Sequence, residues 1–115
     1  MNDPTLVRAF QGLGDLRLLA GVGDFELAAG EPWWVDHSPT SFGRIDLSLA
    51  PLDHFQGWRL SFARGVGPDP ANVQLPAVLA ERWRFDKITG AEVRRQGDIL
   101  LVTPNAKAWE VLWKA

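Results

Sequence analysis

The chain has 115 residues, no cysteine, and a formal charge of −2 from 12 basic and 14 acidic side chains. That length suits a single domain (residues 1–115) with a sizeable core. Missing cysteine excludes disulfides, thiolate metal sites and cysteine nucleophiles, and the near-balanced charge argues against duplex nucleic acid or an anionic membrane as a partner.

Met1-Asn2-Asp3-Pro4 lacks the basic and apolar regions of a signal peptide. No apolar run approaches the ~20 residues of a membrane-spanning helix. As written the chain reads as cytoplasmic; a domain excised from a larger exported enzyme reads the same, and would be secreted. Residues 1–14 are expected to form an N-terminal arm or a short helix, with Leu6, Phe10 and Leu13 spaced for one side if helical. Residues 15–22 read as a leucine-rich strand closed by glycine, and Phe25-Glu26-Leu27 as a short segment stopped at Gly30-Glu31-Pro32. Trp33-Trp34-Val35 reads as a short strand that Pro32 restricts to an edge or a strand start. Asp36-His37-Ser38-Pro39 is expected to turn the chain into the stretch that follows.

That stretch, residues 40–64, carries the clearest pattern. Ile45, Leu47 and Leu49 alternate with Arg44, Asp46 and Ser48; Trp58, Leu60 and Phe62 alternate with Arg59, Ser61 and Ala63. Strand side chains switch faces at every residue, so the two runs predict an antiparallel hairpin with one face buried. Pro51-Leu52-Asp53-His54-Phe55-Gln56-Gly57 would be its loop. Gly65-Val66-Gly67-Pro68-Asp69-Pro70 is the strongest breaker cluster. Residues 72–75 read as extended and 76–81 as one helical turn starting at Pro76. Trp83-Arg84-Phe85 alternates, with both aromatics expected to be buried, and residues 88–94 continue with a turn at Thr89-Gly90. Gln96-Gly97-Asp98 is a tight-turn signal. Ile99-Leu100-Leu101-Val102 is apolar on both faces, as a covered central strand requires. After a break at Thr103-Pro104-Asn105-Ala106, the last strand places Trp109, Val111 and Trp113 on one face.

Eight or nine short strands with turns every eight to twelve residues predict an all-β, antiparallel β-sandwich, Ig-like or jelly-roll-like; a small β-barrel is the alternative. The chain is tryptophan-rich, with six Trp, six Phe and no Tyr. Most of these rings are expected between two sheets, each contributing about 1.5–3 kcal/mol when fully buried.

Few residues point to chemistry. The Gly-x-Gly pairs at positions 12/14, 21/23 and 65/67 are followed by Arg17, Glu26 and Pro70 where a dinucleotide fingerprint needs glycine, so they read as turns. Asp36-His37 and Asp53-His54 would supply four ligands or a small enzyme's site only if their loops met in space. No Gly-x-Ser-x-Gly nucleophile elbow is present. Arg82, Arg84, Arg94 and Arg95 near Trp83 and Phe85 read as solvated arginines beside buried rings rather than a nucleic-acid platform. Neither a catalytic group, a metal site nor a cofactor is expected. The Trp33-Trp34 pair stands out: neighbouring residues on a strand face opposite ways, so one indole points out unless a second surface, such as Phe10 of the arm, covers it. Trp33, Trp34, Asp36 and His37 therefore form the expected binding site, for a sugar ring or a partner protein.

The order of these elements resembles the C-terminal β-sandwich that follows the (α/α)-barrel in many bacterial glycoside hydrolases. Leu18-Leu19-Ala20-Gly21-Val22, Gly30-Glu31, Pro39-Thr40-Ser41-Phe42-Gly43 and Trp109-Glu110-Val111-Leu112-Trp113 carry the likeness, over residues 15–115. In that family the sandwich holds no catalytic residues; it packs on the catalytic barrel and sometimes touches carbohydrate. The resemblance thus implies a non-catalytic accessory module whose partner is a barrel domain or carbohydrate. A free-standing small-ligand or carbohydrate-binding protein is the alternative.

Overall fold

Ten strands among the described residues build two five-stranded sheets packed face to face. The computed structural model describes residues 6–10, 14–19, 22–23, 27–28 and 30–114, apart from the side chains of Phe10, Phe55 and Arg82. The strands are β1 (Val7–Phe10), β2 (Asp15–Leu18), β3 (Trp33–Thr40), β4 (Gly43–Pro51), β5 (Gly57–Arg64), β6 (Asn72–Pro76), β7 (Arg84–Thr89), β8 (Ala91–Gln96), β9 (Ile99–Pro104) and β10 (Ala108–Lys114). One sheet has the order β3-β4-β5-β10-β7, the other β1-β2-β6-β9-β8. All pairings are antiparallel except β2 with β6. The sheets are not closed into a barrel, which sets that alternative aside.

The alternation in β4 and β5 is realised side chain by side chain. Ile45, Leu47, Leu49, Trp58, Leu60 and Phe62 are buried, while Arg44 and Arg59 are exposed and Asp46 half-buried. β10 pairs with β5 so that Trp113 lies opposite Trp58, Val111 opposite Leu60 and Trp109 opposite Phe62. This aromatic-rich wall meets Leu16, Leu18, Val73, Leu75, Leu100 and Val102 of the other sheet, all buried. Gly57 permits the approach of β5 to β10: a Cβ there would lie 1.9 Å from the Trp113 carbonyl oxygen.

Several expectations are corrected. Residues 7–10 of the proposed arm or short helix form β1, because their backbone pairs with β2 from Val7–Leu18 to Phe10–Asp15. Counting β1 raises the strand total to ten, above the eight or nine expected. Phe25 and Glu26 lie outside the described residues. Asp36-His37-Ser38-Pro39 is no turn; it continues β3, an edge strand as Pro32 requires. The helical turn is α1 (Val78–Arg82), starting two residues late because Pro76 is held in the β6 ladder opposite Ile99. Phe85 is exposed rather than buried, since β7 is an edge strand, although its ring lies 5.8 Å from that of Trp113. Strand β9 is an interior strand, between β6 and β8, but Ile99 and Leu101 are only half-buried on its outer side.

The chain passes between the sheets five times: β2 to β3, β5 to β6, β6 to β7, β7 to β8 and β9 to β10. Two of these passages run side by side. β5 neighbours β10 in one sheet and β6 neighbours β9 in the other, both antiparallel, so residues 65–71 and 105–107 cross at the same end of the sandwich.

Candidate functional site

The expected site lies on β3, and a β-bulge shapes it. Val35 pairs with Leu47 but Ser38 with Ile45, so Asp36 and His37 together oppose Asp46. His37 adopts a left-handed backbone conformation (φ 51°). A bulge leaves ladder groups unpaired. Here the His37 amide donates to Asp46 Oδ1 at 2.7 Å, and His37 Nδ1 lies 3.4 Å from the same oxygen. Asp46 therefore fixes the bulge, and both Asp36 and His37 stay exposed.

The two tryptophans take opposite faces. Trp33, opposite Leu49, is half-buried and packs on the core; its Nε1 is buried without a hydrogen-bond partner among the described residues. Trp34, opposite Ser48, points outward and is 36% exposed. The expectation that Phe10 covers the outer indole rests on a side chain that is not among those described. Register then extends a row across the sheet from Trp34 through Ser48, Ser61 and Glu110 to Thr89. Small side chains flank it: Ala50 beside Arg59, and Ala63 between Asp46 and Ala108. Ser61 Oγ donates to Glu110 Oε2 at 3.3 Å and Arg59 Nε lies 3.8 Å from Glu110 Oε1, so the carboxylate is oriented before any ligand arrives. The result is a shallow polar face with one aromatic ring at its edge.

The two Asp-His pairs are not brought together. Asp36-His37 sits opposite Asp46, whereas Asp53-His54 forms a 3-10 turn beyond Pro51, past the far end of β4. Among the described residues no group of three His, Asp or Glu side chains gathers as a metal site would require. Arg84 on β7 and Arg94 and Arg95 on β8 belong to different sheets, and Arg95 pairs with Glu81 at 3.1 Å.

A second feature was not legible in the sequence. The passages at residues 65–71 and 105–107 wall a cleft of about 470 Å3 whose lining includes Phe62, Val73, Val102 and Lys107. Arg64 holds one wall in place: its side chain is 7% exposed, and Nη1 donates to the carbonyls of Phe42, Gly67 and Pro68 at 3.1–3.2 Å while Nη2 pairs with Asp69. The breaker cluster marks one loop; nothing local says that residues 105–107 lie beside it.

Comparison with family models, with curated proteins and with solved structures gives no match for this chain.

Proposed function

We propose that the chain is a non-catalytic β-sandwich that works by contact, laying the outer face of its β3-β4-β5-β10-β7 sheet against carbohydrate. The observation that carries this reading is the row from the outward Trp34 indole across Ser48 and Ser61 to the oriented Glu110 carboxylate. A pyranose has an apolar C–H face and a rim of hydroxyls. The indole suits the first; the serine hydroxyls, Glu110 and Arg59 suit the second. On this face Asp46 and Glu110 stand among Arg44, Arg59 and Lys87, and Arg59 lies beside Glu110. The two signs are interspersed, as suits a neutral sugar better than a strongly charged ligand. The role corresponds to that of the accessory sandwich of (α/α)-barrel glycoside hydrolases, and a catalytic barrel domain is the protein partner it implies.

Tryptophan emission during titration with neutral oligosaccharides tests the reading. A change at millimolar sugar is expected for the native chain and is lost in Trp34→Ala. That variant should melt within about 0.5 kcal/mol of the native protein, as surface substitutions usually do. No emission change with cello-, xylo- or malto-oligosaccharides would overturn carbohydrate contact at this face.

A further inference from the structure

The cleft between the two neighbouring passages lies at the end of the sandwich, apart from the Trp34 face, and has a different character. Its volume of about 470 Å3 falls within the range of small-molecule sites, roughly 300–1,000 Å3. Phe62, Val73 and Val102 line the cleft but are only 1–5% exposed, so the apolar atoms it offers come chiefly from Pro70, Ala71, Pro104 and Ala106. Its rim is polar and carries two cations, Arg64 and Lys107, against one carboxylate, Asp69.

These charges are unequal in availability. Arg64 is engaged with Asp69 and three backbone carbonyls, so this pair is internally neutralised. The Lys107 ammonium is exposed and has no ion-pair partner among the described residues. One positive charge without an ion-pair partner among the described residues thus lines a cleft of mixed polar and apolar character.

The walls are also fixed in advance. Arg64 N donates to Lys107 O at 2.9 Å, Asn105 N to Gly90 O at 2.8 Å, and Ala71 N to Gly14 O at 2.8 Å. A site whose loops are already ordered loses less entropy on binding.

From this arrangement we infer that the cleft binds a small organic monoanion, its apolar body against Pro70, Ala71, Pro104 and Ala106 and its carboxylate at Lys107. The inference is independent of the carbohydrate reading, which uses another face.

Octanoate, octanol and octylammonium serve as probes of the full chain, followed by amide chemical shifts. Octanoate should move the amides of Ala71, Asn105, Ala106 and Lys107 in a saturable manner and bind more tightly than either of the others. Lys107→Glu, an exposed substitution, should weaken octanoate about tenfold, because attraction at contact distance becomes repulsion. Lys87→Glu, on the outer face of β7 and outside the cleft lining, should leave the affinity unchanged. The inference is overturned if octanoate leaves these amides unmoved, if the three probes bind alike, or if Lys107→Glu binds octanoate as the native chain does.

Discussion

The two sheets bury different materials. The inner face of β5 and β10 presents Trp58, Phe62, Trp109 and Trp113, with Phe62 stacked on Trp109 at 4.8 Å and 20°. The facing sheet offers aliphatic side chains: Leu16, Leu18, Val73, Leu75, Leu100 and Val102. Rigid rings have few conformers and fix the spacing of their own sheet, whereas leucine and valine adapt to the surface they meet. Outside, the contrast persists. The aromatic sheet shows the Trp34 row and paired charges; the aliphatic sheet shows half-buried Ile99 and Leu101 beside exposed Arg94. The lesson is that the aromatic sheet is the frame of this domain, and that the β5–β10 pair is its spine.

The most severe way to break the frame is Leu47→Asp. It places an unpaired carboxylate among buried side chains in the middle of β4 and should abolish cooperative unfolding altogether. A cooperative melt at the native temperature would contradict the two-layer arrangement. Next in size is a direct comparison of the two walls by denaturant unfolding. Trp113→Ala should cost about 3–5 kcal/mol and Leu100→Ala about 2–5 kcal/mol, with the tryptophan the costlier of the two. If Leu100→Ala proves the more damaging, the aromatic sheet is not the frame. A smaller effect sharpens the picture at the sheet's edge. Asp46→Ala removes the acceptor of the His37 amide and should cost about 1 kcal/mol, with faster hydrogen exchange at that amide. Unchanged exchange there would show that the bulge holds without the carboxylate.

Much of this frame was readable. β4, β5 and β10 announce themselves because apolar side chains recur at every second position, and Gly97-Asp98 joins Gln96 to Ile99 as the tight-turn signal required. The opposite orientations of Trp33 and Trp34 follow from the same period. The turn expected at Asp36-His37-Ser38-Pro39 failed because the acceptor that turns this polar stretch into a bulge, Asp46, stands nine residues further along the chain. Phe85 misled for a related reason: alternation says which side a residue faces, not whether its strand lies at an edge where that side stays open.

By itself the sequence determined the all-β class, the inner faces of the main strands and the positions of most loops. These follow from a two-residue period and from turn residues, which act over a few neighbouring peptide units. Only the tertiary structure decided that β6 lies between β2 and β9, that β10 lies between β5 and β7, and that two loops more than thirty residues apart in sequence wall one cleft. Strand order is chosen by which apolar faces and backbone hydrogen bonds are satisfied together across the whole chain, and no local pattern of side chains carries that information.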